Sequence, residues 1–204
     1  MELSNMPKRE YTLIEQGEHP VFYAPLTNGD LTDHVSGAPL LCDSRVSYSW
    51  DTNENCYKFM MASNLQSGKG AYFNGVTYPF GSDINTLRCT FVADIKMVTS
   101  SGIQMPIMLY NNSFWPFDYS SYSPVSMQPN IWYRICAIKD SDGTTGQKYA
   151  NGVFKENFNA TGALSLMAPL MLFYYPGWGS RCTFYLKNIH VFDVALTLEE
   201  VAQL

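Results

Sequence analysis

The run from Arg88 to Val98 is the strongest constraint on what this chain can fold into. Apolar side chains recur at every second position, at Cys89, Phe91, Ala93, Ile95 and Met97. Polar side chains stand between them, at Arg88, Thr90, Asp94 and Lys96. A period of two puts alternate residues on opposite faces of an extended chain. The run therefore predicts a β-strand with one buried face.

Further strand-like runs are separated by turn signals along the rest of the chain. They are predicted at residues 21–26, 103–110, 131–139, 164–175 and 182–194. Asn151-Gly152 is a two-residue hairpin signal between two such runs. Many short strands between turns favour a sandwich or a barrel. Thr197 and Glu200 fit a capping box, which predicts one short helix at the C-terminal end.

The size and composition favour one folded domain. The chain has 204 residues, of which 46% are hydrophobic and 15% charged, enough apolar material for one sizeable core. No internal repeat or low-complexity linker divides it. Residues 1–20 show mixed charge and no period, and we interpret them as an N-terminal arm. Residues 21–204 are predicted to form the β-domain.

The charge pattern argues against two classes of partner. The formal net charge is −5, and no cluster of Lys and Arg stands ready to contact phosphates. Neither a polybasic patch nor a stretch of ~18 apolar residues indicates a membrane. The first residues lack the basic start and apolar run of a secretory signal. We expect synthesis in the cytoplasm, with a secreted or cell-surface protein whose signal has been removed as the alternative.

The five cysteines favour free thiols over a disulfide framework. They are Cys42, Cys56, Cys89, Cys136 and Cys182. Their number is odd, their spacing is wide and no C-x-x-C pair occurs. Cysteines inside apolar strand-like runs behave as small hydrophobic side chains. Buried free thiols are therefore predicted, with a disulfide as the alternative.

Three segments together resemble the laminin-G-like, concanavalin-like lectin and glucanase superfamily. Residues 23–33 (YAPLTNGDLTD) are similar to its opening strand and turn. Residues 131–137 (IWYRICA) followed by 149–152 (YANG) are similar to its hairpin. Residues 186–201 (LKNIHVFDVALTLEEV) are similar to its closing strand and helix. The segments occur in the expected order, whereas residues 41–72 match poorly and are expected to carry an insertion.

The resemblance implies an all-β, two-sheet antiparallel jelly-roll sandwich with one concave face and a short C-terminal helix. The superfamily includes lectins, adhesion modules and glucanases, so the fold alone does not choose a function. Its glucanases carry their carboxylates as E-x-D-x-E, with alternate residues on one strand face. This chain has no such motif, and its three histidines form no triad signature. We predict that it is not an enzyme, with a glycoside hydrolase as the less favoured alternative.

Two aromatic clusters are the candidate ligand-binding residues. Their members are Trp115, Phe117, Asp118, Tyr119 and Tyr122 in the first cluster, and Tyr174, Tyr175 and Trp178 in the second. Sugars present apolar C–H faces rimmed by hydroxyls, which suit aromatic planes beside short polar side chains. The alternative is that these rings close the ends of the core. Trp132 is expected in the core, whereas Trp50 fits a core position and a site position equally well.

The resemblance also suggests a structural calcium ion. Some relatives hold Ca²⁺ with oxygen ligands near the first and last strands, where this chain has Asp30, Asp33 and Asp193. Calcium takes six to eight oxygens, more than three carboxylates supply by themselves. No other cofactor is predicted.

Two functions follow from these observations. The first is a non-enzymatic module that recognises a glycan or polysaccharide, or acts in adhesion, with display on a bacteriophage particle as one setting. The second is a structural or assembly protein of a virion, a decoration or fibre component that meets other subunits or copies of itself.

Overall fold

The computed structural model describes residues 19–42, 46–61, 71–77, 88–101, 128–140, 145–159, 169–171 and 181–204. Strands dominate these ranges, and every strand pairing within them is antiparallel. Across the same ranges, no helix has the length and apolar character needed to span a membrane. The predicted arm at residues 1–20 lies outside the described residues except for its last two positions.

The strands are numbered in chain order. They are β1 Phe22–Ala24, β2 Leu40–Cys42, β3 Val46–Asp51, β4 Cys56–Met61, β5 Ala71–Thr77, β6 Cys89–Ser101, β7 Trp132–Lys139, β8 Thr145–Ala150, β9 Val153–Asn159, β10 Pro169–Met171 and β11 Arg181–Phe192. The helix α1 spans Leu198–Val201.

The strands form a large sheet and a small one. The large sheet has the order β3-β4-β11-β6-β7-β8-β9, and β1 also pairs with β11. The small sheet has the order β10-β5-β2. Neighbours in the large sheet are distant in sequence at β4-β11 and β11-β6, and the pairing of β1 with β11 brings the first and last strands together in its middle. The predicted all-β sandwich with a short C-terminal helix is confirmed.

The inner face of the large sheet carries the main hydrophobic core. The inner face predicted for β6 is confirmed, because Cys89, Phe91, Ala93, Ile95 and Met97 are all buried in one cluster. The expectation of a single buried face is wrong, because Thr90, Val92 and Lys96 on the opposite face are buried as well. Phe59 of β4 and Phe184 of β11 are fully buried and stack with ring centroids 5.6 Å apart. Leu40 of the small sheet belongs to the same cluster. The core therefore lies between the two layers.

The hairpin between β8 and β9 forms where the sequence predicts it. Asn151 and Gly152 have φ values of 51° and 75°, the left-handed conformation that a tight two-residue turn of this kind requires. Gly adopts this conformation without strain, and Asn tolerates it better than most residues. The predicted turn is confirmed, and it fixes the register of both strands.

The short helix is also confirmed, with both halves of its capping box. The Thr197 hydroxyl accepts a hydrogen bond from the Glu200 amide, and the Glu200 carboxylate accepts one from the Thr197 amide. Upstream, the Thr90 hydroxyl accepts from the Leu196 amide and donates to the Val194 carbonyl. These bonds tie the segment that enters α1 to β6.

Residues 41–72, where an insertion is expected, supply β3 and β4 of the large sheet, whereas residues 43–45 and 62–70 lie outside the described residues. The expected insertion therefore stays a prediction. The first strand is shorter than predicted, because Pro25 has no amide to donate and Leu26 takes a left-handed φ of 51°. The strand predicted at 103–110 and most of the one at 164–175 fall outside the described residues.

The cysteine prediction is confirmed for the four side chains that the structure describes. Cys42, Cys56, Cys89 and Cys136 are free thiols. Burial raises the pKa of Cys56 to about 11 and that of Cys89 to about 12. Cys42 is only half-buried, so burial is less complete there than expected.

Candidate functional site

The outer face of the large sheet is the side turned away from the main core. It is formed by the alternate residues that the core does not use, including Val92, Asp94 and Lys96 of β6. Across the sheet these pair with Cys136, Arg134 and Trp132 of β7, respectively. The end of this face at Val92 and Cys136 is apolar, and the end at Lys96 and Trp132 is charged and aromatic.

The apolar end is covered by the segment around α1. Four sheet residues and three residues of the covering segment make a second hydrophobic cluster: Val92, Cys136, Ile138, Phe192, Leu196, Val201 and Leu204. Covering this end with a four-residue helix leaves an opening at its side. That opening is a cleft with a volume of about 320 Å³. We call it the helix cleft.

The helix cleft has one apolar wall and one mixed wall. The residues lining it are Leu198, Val201 and Ala202 on the helix side, and Arg134, Cys136, Tyr149, Asn151 and Gly152 on the sheet side. Its volume lies at the lower end of the range for small-molecule sites, which are mostly apolar with a few placed polar groups.

Arg134 is held rigidly at the edge of the cleft. Its Nε and Nη2 donate to the two oxygens of Asp94 at 2.7 and 2.9 Å, and its Nη1 donates to the Leu204 carbonyl at 2.7 Å. Asp94 also accepts from Asn188 Nδ2 at 2.8 Å. The bond to Asp94 raises the pKa of Arg134. Three of the five guanidinium N–H groups therefore donate to described residues, and the other two form no hydrogen bond within the described part of the chain.

Tyr149 and Asn151 provide the other polar groups of the cleft. The Tyr149 hydroxyl donates to Gln147 Oε1 at 2.7 Å, and its ring meets Phe154 edge-on at 5.9 Å. Burial raises the pKa of Tyr149, so it stays neutral at physiological pH. Asn151 Oδ1 accepts a hydrogen bond from the backbone N–H of Arg134 at 2.8 Å. This bond fixes the orientation of the Asn151 side-chain amide. An aromatic ring and two planar polar groups thus share one small space.

The charged end of the outer face is a cluster of aromatic rings and lysines. The lysine–aromatic cluster comprises Asp51, Glu54, Lys58, Lys96, Trp132, Tyr185 and Lys187. The ammonium of Lys187 lies 4.3 Å from the centre of the Trp132 ring, and Tyr185 has Lys96 at 4.6 Å and Lys58 at 5.7 Å. Such cation–π contacts each contribute about 0.5–1 kcal/mol at partly exposed sites.

Two carboxylates anchor this cluster. Glu54 forms an ion pair with Lys96 and accepts a hydrogen bond from Trp132 Nε1 at 3.1 Å. Asp51 accepts the Tyr185 hydroxyl at 2.7 Å. The Lys96 bond lowers the pKa of Glu54, and the Tyr185 bond lowers that of Asp51. Burial, with the Asp51 bond, raises the pKa of Tyr185 to about 12. A carboxylate that stays ionised makes a poor general acid.

The aromatic residues singled out from the sequence cannot be compared with this site. Trp115, Phe117, Asp118, Tyr119, Tyr122, Tyr174, Tyr175 and Trp178 all lie outside the described residues. The prediction that they bind a ligand stays a prediction.

The three predicted calcium ligands do lie within the described residues. Asp33 is buried, and its oxygens accept hydrogen bonds from the amides of Tyr23, Val35 and Ser36 and from the Ser36 hydroxyl. Asp30 accepts from Thr32 and contacts His34, and Asp193 is exposed. Among the described side chains, no three His, Cys, Asp or Glu residues form a group that could hold a metal. The structure therefore does not gather Asp30, Asp33 and Asp193 into one ligand set.

Sequence reasoning misplaced one tryptophan and missed the cleft. Trp132 was expected in the core, but it is partly exposed on the outer face beside Lys187. Trp50 packs against the main core and meets Tyr57 edge-on at 5.2 Å. Arg134 and Asn151 were visible only as parts of a hairpin pattern. The sequence signal that could have located the site is the spacing of Trp132, Arg134 and Cys136, because a strand places alternate residues on one face.

No protein-family model and no curated protein matches this chain. Solved structures do. The binding domain of Paraclostridial Mosquitocidal Protein 1 aligns with a TM-score of 0.63 at 12% identity, over 89% of this chain and 50% of that structure. A structure of botulinum neurotoxin type C, whose cell entry depends on interaction with two ganglioside molecules, gives 0.53 at 11% identity, over 89% and 49%.

The ligand-binding domain of botulinum neurotoxin serotype D, in complex with N-acetylneuraminic acid, gives a TM-score of 0.50 at 13% identity, over 89% of this chain and 49% of that structure. The chain thus spans about half the length of each of these three structures. At such identities the likeness shows a shared fold. It transfers no ligand and no binding residue to this chain.

Proposed function

We propose that the chain is a non-catalytic binding module with a concanavalin-like, laminin-G-like jelly roll, and that it recognises a glycan in the helix cleft. The observation that carries the proposal is the cleft itself, which brings the Tyr149 ring, the Asn151 amide and the Arg134 guanidinium together. Sugars offer C–H faces to an aromatic ring and hydroxyls to planar polar groups. The fold shared with toxin binding domains supports the same class of function.

The electrostatics of the outer face support binding without catalysis. Asp51 and Glu54 are held ionised by hydrogen bonds, and Asp94 already accepts from Arg134 and Asn188. A glycoside hydrolase needs a carboxyl group with a raised pKa beside a second carboxylate. The described part of the outer face offers fixed hydrogen-bonding groups instead, which suits recognition.

A second candidate function, assembly with other subunits or other copies of the chain, has one observation in its favour. At the start of β9, the edge strand of the large sheet, Val153 and Phe154 are 58% and 48% exposed. Apolar side chains on an exposed edge favour pairing with another protein. Size-exclusion chromatography with light scattering tests this function, which requires an oligomer that Phe154→Ser disrupts.

Binding in the helix cleft is tested by a glycan array followed by calorimetry on two variants. Asn151→Gly keeps the left-handed turn and removes the amide, and loss of one such hydrogen bond should weaken binding about fivefold. Tyr149→Ala removes the aromatic wall and should cost about 2 kcal/mol of binding free energy. Both losses of affinity are expected for the glycan that binds most strongly on the array.

The chain offers a matched control for the turn substitution. Asn28-Gly29 is a second Asn-Gly turn with φ values of 53° and 78°, and Asn28 is exposed away from the cleft. Asn28→Gly should therefore leave affinity unchanged. An array without any glycan hit, or a hit that Asn151→Gly and Tyr149→Ala both leave unweakened, would refute the proposal.

A further inference from the structure

Lys58 and Lys187 are the two lysines of the lysine–aromatic cluster that form no ion pair among the described residues. Their ammonium groups contact the Tyr185 and Trp132 rings, respectively. Lys96 is buried and paired with Glu54. With three lysines and the two carboxylates of Asp51 and Glu54, the cluster has a formal charge of +1 in a chain whose net charge is −5.

The backbone positions of the two lysines lie on the same face and are diagonal neighbours on adjacent strands. Lys58 pairs with Tyr185 across β4 and β11, and Lys187 lies two residues farther along β11. Diagonal neighbours on adjacent strands are about 7–8 Å apart, which is within reach of a single anionic group for two flexible side chains. The aromatic rings beneath them limit where the ammonium groups can move.

The lysine–aromatic cluster is continuous with the helix cleft. Trp132 and Arg134 are two residues apart on β7 and face the same way, so their positions are separated by about 7 Å. Asp94 pairs with Arg134 on one side and with Lys187 on the other. A glycan seated in the cleft and extended along β7 would place its next sugar over Trp132 and beside Lys187.

We propose that the ligand is an acidic glycan, and that Lys58 and Lys187 bind the carboxylate or sulfate group of a sugar next to the one in the helix cleft. This rests on the proposed glycan-binding function and adds the ligand class to it. The Trp132 ring contacts the apolar side of the acidic sugar. Glu54 and Asp51 hold Trp132 and Tyr185 in place through the bonds to their polar atoms.

The test is calorimetry with three polymers: polygalacturonate, which carries carboxylates; dextran sulfate, which carries sulfates; and neutral dextran. The parent chain should bind at least one of the acidic polymers, and added salt should weaken that binding. The double variant Lys58→Gln/Lys187→Gln should lose about tenfold or more in affinity, because it removes two charge-assisted bonds. The acidic polymer that binds identifies the anionic group.

Two controls separate charge from structure. Lys58→Arg/Lys187→Arg keeps both charges and should retain binding. Lys155→Gln removes a charge from β9, at the far end of the strand order, and should change nothing. Thermal melting of each variant shows whether it is folded. Failure of both acidic polymers to bind, or equal binding by the Gln double variant and the parent, overturns the inference.

The outcomes also distinguish this inference from the proposed function. If a neutral glycan binds and is weakened by Asn151→Gly, while acidic polymers do not bind, the proposed function stands and the inference fails. If acidic polymers bind and the lysine variants abolish that binding, but Asn151→Gly and Tyr149→Ala have no effect, the proposed cleft fails.

Discussion

The inner and outer faces of the large sheet are built from the same strands and differ in almost every physical respect. The inner face is mainly apolar and its side chains are almost completely buried, as in the stacked pair Phe59 and Phe184. Lys139 and Lys148 are buried polar exceptions at its β7 and β8 end, paired across the sheet with Cys89 and Ala137. The outer face changes character along β7, from Cys136 under the helix through Arg134 to Trp132 among lysines. Burial of area stabilises the first face, whereas directed polar contacts organise the second.

That contrast is the reason for proposing the binding site on the outer face. A polar group on a partly buried face must be hydrogen-bonded, or it costs free energy. On the outer face Asp94 accepts from both Arg134 and Asn188, and Glu54 accepts from both Lys96 and Trp132. These networks fix the direction of the remaining donors, which is what a recognition surface needs.

The largest effect should come from breaking the inner face. Phe184→Ala removes a fully buried ring from the stack with Phe59 and should lower the free energy of unfolding by about 3–5 kcal/mol. Urea denaturation followed by tryptophan fluorescence measures it. Phe154→Ala, at a ring that is 48% exposed, serves as the control and should change stability by no more than about 0.5 kcal/mol. Equal losses in the two variants would remove the distinction between the faces.

A smaller but substantial effect is expected from the outer-face ion pair. Asp94→Asn keeps the shape of the side chain and leaves the Arg134 guanidinium without its partly buried counter-charge, which should cost about 3 kcal/mol of unfolding free energy. The matched control is Asp140→Asn, since Asp140 is 83% exposed and 3.9 Å from Arg88. Exposed pairs of this kind contribute little. An Asp94→Asn variant as stable as the parent would mean that this network does not position Arg134.

The smallest effect concerns the helix that covers the apolar end. Thr197→Ala removes the capping hydroxyl and should cost about 1 kcal/mol, while Thr197→Ser should cost much less because it keeps the acceptor. Thermal melts compare the two. The Ala variant should also weaken any ligand bound in the helix cleft, because α1 forms one of its walls. A larger loss in the Ser variant than in the Ala variant would contradict the capping role.

The sequence predicted those parts of the fold that depend on local pattern. Period-two alternation located β6 and its inner face, because residues at every second position must share a face. Asn151-Gly152 and the Thr197/Glu200 box are signals that act over two to four residues. Each was therefore visible without knowledge of the rest of the chain.

The outer-face site was not visible for the opposite reason. In β7 both sets of alternate residues contain apolar side chains, with Ile135 and Ala137 on one face and Cys136 and Ile138 on the other. Periodicity could not show which face was the core, and Trp132 was assigned to the core because it belongs to the hairpin that resembles that of the superfamily. The helix cleft joins α1 to the β8–β9 turn, and the lysine–aromatic cluster joins β4, β6, β7 and β11. Only the strand order brings these segments together.

Chemical-shift mapping tests the central claim most directly. A titration of the isotope-labelled chain with the best glycan from the array reports which backbone amides lie near the ligand. The account predicts that the largest shifts occur at Arg134, Tyr149 and Asn151, with the amides of Lys58 and Lys187 joining them when the glycan is acidic. Shifts confined to the aromatic segment at residues 114–122, or to the exposed edge strand β9, would contradict it.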